Sequence, residues 1–349
     1  MPTVGRDGDI GVISCSSAAE FLQVLDPIQG LFRHEPTYDL FIFRGVTSAR
    51  YSLLPVAFRD DTWLVEGNQP ITGGQFWVQG PRPTINDQIE AELGTLRRFV
   101  EIASRHGVRL PEDARSLRVE LDDFEFRYRA AHRYDWPPVQ LLSLIALAQH
   151  YGVPTRALDW TTNALVAAYF ASQAPVATDD TIAVWAFDIW ASRLQRQYID
   201  IVDYRPPLHI FTAPGADNDN LRAQRGVFML APHTLDVDNV ELFKPTPYDI
   251  TLPTLFPLND FGQRPFSFWP GVLFKITVPC AESSLVRAIL ASVGVTAGSL
   301  FPGIWGVARE FHEERRLATH EVRTQSSERE QSSQRLWDEV RALFKRGGY

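Results

Sequence analysis

An arginine stands in the middle of an apolar run at residues 41–54, FIFRGVTSARYSLL. A guanidinium carried inward by a strand stays charged at any ordinary pH, so Arg44 requires a carboxylate, backbone carbonyls or a bound anion as its partner. A pyrophosphate would suit it, because the planar fork of arginine donates two parallel hydrogen bonds to phosphate oxygens. The sequence therefore predicts either an ion pair or an anion site at Arg44.

The densest group of polar residues lies in AQHYGVPTRALDWTTNALVAAYFAS, residues 148–172, between two apolar helical segments. Arg156 offers a second guanidinium fork. Asp159 or Gln224 could stabilise an oxocarbenium-like transition state, and His150 could act as a general base. The alternative is a buried network in which Arg44 or Arg156 pairs with Asp159. The residues alone leave both interpretations open, although so many polar groups in one buried turn favour a site.

The segments that must position these residues show both helical and strand periodicity. Their order predicts an α+β fold with a small, mostly antiparallel, curved sheet and packed helices, because β-prone runs separated by long insertions do not fit a regular βαβ order. The predicted sheet strands are 38–45, 181–189, 226–232 and 271–279. Further predicted elements are a strand at 9–14, a helix from Ser16 or Ser17 to Leu25, a loop at 60–85, a helix at 86–106 capped by Asn86 or Asp87, and a central buried helix at 138–152.

Composition limits the classes of protein that this sequence can represent. With 349 residues, 45% of them hydrophobic, the chain is expected to be a folded globular protein. Its net charge of -8 argues against binding of nucleic acid through the overall electrostatic field of the protein. The two cysteines, Cys15 and Cys280, form no metal cluster, and no metal is expected. No apolar run approaches the ~20 residues that span a bilayer, so we expect a cytoplasmic protein with no membrane partner.

Five motifs occur in an order that resembles the FRG domain family, which is named for its Phe-Arg-Gly motif. They are FRG at 43–45, YSLLPVAFR at 51–59, the block at 148–171, RAQRGVF at 222–228 and GVTAGSLFPGIWGVAR at 294–309. The resemblance implies an FRG domain over residues 1–310, including a strand and helix at its start. The charged residues 311–349 are then a helical tail.

The layout of these motifs is more distantly similar to that of ADP-ribosyltransferases. That resemblance implies an ADP-ribosyltransferase-like core in which Arg44 and Gly45 contact the phosphates of NAD. It also implies that WTTNALVAAYFA corresponds to a strand and helix that place Trp160, Thr161 and Thr162 along the nicotinamide. Gln224 falls where those enzymes carry a Gln/Glu-x-Glu element, but the second residue after it is Gly226, so the final glutamate is absent.

We expect these polar residues to share one cleft, because each would be costly to bury alone. Within it Arg44 would face the anion, Trp160 would offer a flat surface to a ring, and Gln224 would hydrogen-bond a ribose hydroxyl. His150 would reach the cleft floor, with a basicity raised by the C-terminal end of its helix. The predicted members are Arg44, Thr155, Arg156, Asp159, Trp160, Thr161 and Gln224, with His150 beneath them.

Three functions fit these residues. The first is an NAD-consuming enzyme, either an ADP-ribosyltransferase acting on a protein or nucleic-acid acceptor or an NAD glycohydrolase, in a bacterial toxin or an antiphage defence effector. The second is a nucleotide-binding sensor without turnover, which the absent glutamate favours. The third is a structural module whose charged C-terminal helix recruits a partner.

Overall fold

The structure, a computed structural model, divides into two compact units, residues 1–287 and 288–349. The residues it describes are 2–32, 41–59, 65–66, 69–70, 84–110, 117–119, 121–122, 133–173, 180–189, 207–212, 218–236, 243–256 and 271–315.

The strands of the first unit are mostly short. They are β1 Thr3–Asp7, β2 Ile10–Ser14, β3 Phe41–Val46, β4 Val65–Glu66, β5 Gln69–Pro70, β6 Arg133–Trp136, β7 Leu158–Thr161, β8 Thr181–Asp188, β9 His209–Phe211, β10 Gly226–Leu230, β11 His233–Asp236 and β12 Leu273–Pro279. Eight of these described strands form one open, mixed sheet in the order β1-β2-β12-β8-β3-β7-β10-β9. Every neighbouring pair in it is antiparallel except β2 with β12.

Helices occur along the whole described chain. They are α1 Ala18–Val24, α2 Ile85–Arg105, α3 Leu142–His150, α4 Ala164–Ala171, α5 Asp219–Ala223, α6 Tyr248–Leu255, α7 Ser283–Ser292, α8 Ala297–Leu300 and α9 at 304–315. The predicted α+β class is confirmed. All four predicted strands lie in the main sheet, although residues 38–40 of the first lie outside the described residues.

The main sheet separates two apolar clusters, as the alternation along β10 shows. Val227 and Met229 pack with α6 in one cluster, whereas Phe228 and Leu230 pack with α2 and α3 in the other. Strand β8 is buried along nearly its whole length, which fits its continuous apolar sequence and its central place in the sheet. The sheet is larger than predicted because polar β1 and the short β7 and β9 extend it.

Several helix ends are fixed by side-chain caps. Ser17 caps α1 as predicted, since its side chain accepts a hydrogen bond from Glu20 N. Helix α2 instead begins one residue earlier than predicted, because Thr84 and Asp87 form a capping box. The predicted helix at 138–152 begins as a 3-10 turn and becomes α-helical at Leu142. Most of the loop predicted at 60–85 lies outside the described residues.

The second unit is described up to residue 315. The carboxylate of Glu310 accepts hydrogen bonds from Thr296 Oγ1 at 2.6 Å and from Gly298 N at 2.7 Å, which fixes the start of α8. Residues 304–315 are helical, and residues 316–349 of the predicted helical tail lie outside the described part. The predicted domain boundary at 310 stays a prediction.

Candidate functional site

Arg44, on β3, has found its partner on the neighbouring strand β7. Its Nη1 donates a hydrogen bond of 2.6 Å to the backbone carbonyl of Asp159 and lies 3.8 Å from Asp159 Oδ2. This confirms the pairing of Arg44 with Asp159 that the sequence left open. Burial lowers the pKa of Arg44, the Asp159 charge raises it, and Arg59 lowers it further, yet a guanidinium remains charged at neutral pH.

The two strands meet at a narrow junction. Their register contains one pair, Phe43 with Thr161, whereas β3 and β8 are paired over six residues from Phe41 to Val46. Beyond that pair, the Arg44 side chain donates a hydrogen bond to a backbone carbonyl of β7. Elsewhere in the sheet, backbone N–H groups make the equivalent bonds between strands. The guanidinium is thus part of the connection between β3 and β7.

Asp159 also ends a chain of hydrogen bonds that begins in the turn after α3. Thr155 Oγ1 donates to Gln149 Oε1 at 2.7 Å, and Gln149 Nε2 donates to Asp159 Oδ2 at 3.0 Å. Thr155 is buried, and its hydroxyl also accepts from Ala157 N at 3.1 Å, so it stabilises the turn. The Asp159 side chain remains 50% exposed, and its Oδ1 has no partner among the described residues.

His150, the last residue of α3, belongs to the same neighbourhood. Burial lowers its pKa, and the nearby Asp159 charge opposes this effect without reversing it. The net pKa of His150 is therefore lowered and not raised, because desolvation of the imidazolium outweighs the attraction of Asp159. A neutral imidazole at pH 7 can accept a proton.

Thr161 links β7 to the segment that carries Gln224. Its Oγ1 donates to the carbonyl of Gln224 at 2.7 Å and accepts from Asn163 N at 3.0 Å. Gln224 is the C-cap of α5, and the next residue, Arg225, has a φ of 48°, which turns the chain sharply into β10. The structure thus brings Arg44, Asp159, Thr161 and Gln224 onto adjoining strands and the turn before β10.

Arg156 lies in a different environment. Its side chain is 1% exposed and forms a bidentate pair with Glu92 of α2, with Nε to Oε2 at 2.7 Å and Nη2 to Oε1 at 3.1 Å. Glu92 also accepts from Trp136 Nε1 at 2.9 Å and from Gln88 Nε2 at 2.9 Å. The predicted pairing of Arg156 with Asp159 is wrong. Arg156 is a structural residue here, since Glu92 already neutralises its charge.

Sequence reasoning missed the rest of this buried network. Arg156 Nη1 donates to His233 Nδ1 at 3.0 Å, and Tyr248 Oη donates to the Arg156 carbonyl at 3.0 Å. Burial raises the pKa of Tyr248 to about 12. Neither His233 nor Tyr248 stands in a recognisable motif, so only the spacing of isolated polar residues in apolar segments could have drawn attention to them.

Acid is expected to weaken this network through His233. Burial and the adjacent Arg156 charge lower its pKa from 6.5 to about 4, so the unfolded chain binds a proton that the folded chain excludes. Stability from this group is complete above pH 6.5 and is lost as the pH falls from about 6.5 to about 4, by about 3 kcal/mol in all. Urea unfolding across that range measures the loss.

The matched control is His233→Asn, whose amide oxygen can replace Nδ1 as the acceptor for Arg156 without titrating. It should show a smaller fall in unfolding free energy between pH 6.5 and pH 4 than the unsubstituted chain. Equal slopes for the two proteins would contradict the assignment to His233.

Comparison with known proteins identifies part of the chain. The family model of the FRG domain matches residues 39–180, a range that contains Arg44, α3, β7 and α4. This stretch is therefore similar to FRG domains. No curated protein and no solved structure matches the chain. The match covers less than half of the chain, and Gln224 and His233 lie beyond it.

The FRG motif has a structural glycine. A Cβ on Gly45 would lie 2.0 Å from Ala167 O and 2.6 Å from Ala171 N, both on the backbone of α4. The glycine therefore allows α4 to pack directly on β3. The surroundings of Gly45 favour a role in helix packing, and phosphate binding is not needed to explain this residue.

Trp160 does not present a flat surface to a ligand. It is 3% exposed and belongs to the apolar cluster on the α6 side of the sheet, with its ring centroid 6.4 Å from that of Phe187. The prediction of an open stacking platform is wrong, because the ring is covered. Its indole N–H is also buried and has no hydrogen-bond partner among the described residues, a cost of about 1–3 kcal/mol.

Membrane-spanning helices and metal-binding clusters are both absent from the described ranges. These ranges contain no helix long and apolar enough to cross a bilayer. In the same ranges, no group of three or more His, Cys, Asp or Glu side chains is placed to hold a metal ion.

Proposed function

We propose that the junction of β3 and β7 binds NAD and promotes cleavage of its nicotinamide–ribose bond. The observation that carries this proposal is the state of Arg44. It is a mostly buried cation, 18% exposed, yet only one of its five N–H groups donates to a described residue. The remaining donors suit the oxygens of a pyrophosphate.

The neighbours of Arg44 suit the reaction that would follow. Departure of nicotinamide leaves positive charge on the ribose, which a nearby carboxylate would stabilise. The exposed carboxylate of Asp159 lies within 4 Å of Arg44. Gln224 lies in the turn before β10, beside β7, where its polar side chain could recognise a ribose hydroxyl. Arg44 would hold the phosphates while Asp159 faces the ribose.

Water is the simplest acceptor in this reaction. The C–N bond between ribose and nicotinamide breaks with its electron pair leaving on nicotinamide, and water forms a new C–O bond at the same carbon. The products are nicotinamide, ADP-ribose and one proton. His150 can take that proton, because burial keeps its imidazole neutral. A protein or nucleic-acid acceptor in place of water would make the enzyme an ADP-ribosyltransferase.

The finer proposal is an ADP-ribosyltransferase-like core in a bacterial toxin or defence effector. It is supported by the order of the elements, in which Arg44 lies on an early strand and the β7–α4 unit follows beside it. The carboxylate expected two positions after Gln224 is absent, since Gly226 stands there. Asp159 is proposed to supply the missing negative charge.

A second candidate is a nucleotide sensor that binds without turnover. The observation in its favour is that Asp159 already accepts a hydrogen bond from Gln149 and pairs with Arg44. A carboxylate engaged in this way is less available to a developing cation. Binding of NAD without release of nicotinamide would decide for the sensor.

Arg44→Lys is expected to lower the affinity for NAD and ADP-ribose by roughly tenfold or more, because lysine keeps the charge but lacks the bidentate fork. The fold should survive, since an ammonium can still donate to the Asp159 carbonyl. Calorimetric titration measures the binding, and thermal unfolding measures the stability.

Arg50→Lys is the matched control, because Arg50 is 78% exposed and pairs at 3.7 Å with Asp180. It should bind like the unsubstituted protein. Asp159→Asn should retain binding and lose nicotinamide release if the site is catalytic. Failure of the unsubstituted protein to bind NAD and ADP-ribose would reject this function.

A further inference from the structure

The neighbours of Arg44 across the sheet are two tryptophans. Arg44 stands opposite Trp185 in the pairing of β3 with β8. On the other side, continuing the antiparallel register of Phe43 with Thr161 by one residue places Trp160 opposite Arg44. Side chains of opposite residues share one face of a sheet and lie within contact distance. Both tryptophans belong to the apolar cluster on the α6 side, which agrees with this placement.

Both tryptophans have a buried indole N–H without a partner among the described residues. Trp160 is 3% exposed and Trp185 is 1% exposed, so bulk water does not satisfy these groups. Trp136 provides the contrast, because it is equally buried and its indole N–H donates to Glu92 at 2.9 Å. Buried N–H groups normally have an acceptor, so two unpaired indole groups on the residues that flank Arg44 in the sheet require an explanation.

The unpaired N–H donors along this row favour an anion as the missing acceptor. Lys275 stands opposite Trp185 on β12, and its ammonium lies 4.8 Å from the centre of the Trp185 ring. Asp159 accepts from Gln149, and Asp249 accepts from Leu53 N at 2.6 Å. The charges of Asp249 and Asp7 also act on Lys275. The row therefore has more donors than acceptors.

We propose that Trp185, Arg44 and Trp160 form one anion-binding row on this face of the sheet, with the two indole N–H groups and the guanidinium as its donors. The anion is the pyrophosphate of a dinucleotide, and this identity alone rests on the proposed function. Access is from the side of Arg44, whose side chain retains 18% exposure beside the exposed Asp159. Lys275 adds positive charge at the far end of the row.

The test replaces each tryptophan by phenylalanine, which keeps an aromatic ring and removes only the indole and its N–H. Trp160→Phe and Trp185→Phe are each expected to weaken binding of inorganic pyrophosphate and of ADP-ribose roughly tenfold or more, measured by calorimetric titration. Neither change removes a hydrogen bond from the ligand-free protein, so their unfolding midpoints in urea should fall less than that of Trp136→Phe. Trp136→Phe is the matched control and should bind both ligands normally.

Several results would overturn the row. These are absence of pyrophosphate and ADP-ribose binding in the unsubstituted protein, normal affinity in either Trp160→Phe or Trp185→Phe, or destabilisation of both variants to the extent seen for Trp136→Phe. The two proposals fail separately. If the protein binds pyrophosphate but not NAD, and both variants weaken that binding, the row is supported and the proposed function is rejected. If the protein cleaves NAD and neither variant affects cleavage, the proposed function is supported and the row is rejected.

Discussion

Glu92→Ala is expected to lower the free energy of unfolding by about 3–5 kcal/mol, because it leaves the charge of Arg156 buried without a counterion. The loss should be near the upper end of this range, since Glu92 also accepts hydrogen bonds from Trp136 and Gln88. Equilibrium unfolding in urea measures it. A loss of less than about 1 kcal/mol would show that the network contributes little to stability.

Helix α2 offers its own control. Glu101 pairs with Arg98 at 3.0 Å, but both side chains are more than half exposed, at 62% and 53%. Glu101→Ala should therefore change the unfolding free energy by no more than about 0.5 kcal/mol. The double change Glu92→Leu with Arg156→Met should recover much of the stability lost in Glu92→Ala, because it removes both buried charges together.

Gly45→Ala is expected to cost roughly 3 kcal/mol or more, because the new methyl group would overlap the backbone of α4. A helix backbone cannot rotate away as a side chain can, so α4 or β3 must shift. Thermal and urea unfolding of the variant measure the cost.

Gly5→Ala is the comparison, since Gly5 lies in β1 and a methyl group added there would have no atom within 4 Å. Its effect should stay within about 0.5 kcal/mol. A Gly45→Ala protein as stable as Gly5→Ala would mean that α4 and β3 separate easily, and the glycine of the FRG motif would then need a different explanation.

Local patterns predicted most of the elements because their causes are local. The Ser17 cap, the helical spacing after Thr84 and the apolar run of β8 are each set by neighbouring residues. The α+β class followed from the order of these elements. The edges of the sheet did not, because polar β1 has no apolar alternation to mark it as a strand.

The partners of the two arginines could not be read from sequence. Arg44 and Arg156 stand in similar apolar surroundings, and both were expected near Asp159. Glu92 has the appearance of a solvated helix residue in IEAELGTLRR, and it meets Arg156 only because α2 packs beside the turn after α3. Pairing over 64 positions depends on the tertiary fold, which no local pattern contains.

The narrow junction has a thermodynamic consequence. On one side of it are five strands ending with β3, and on the other are β7, β10 and β9. Between β3 and β7 themselves, the hydrogen-bonded connection consists of one residue pair and the Arg44 side chain. A ligand that takes the whole guanidinium fork would compete with the Asp159 carbonyl, whereas a ligand that uses only the free N–H groups would leave that bond in place. By thermodynamic linkage the effect is reciprocal. A ligand that weakens the association of the two strand groups binds less tightly when they are associated, by the same free energy.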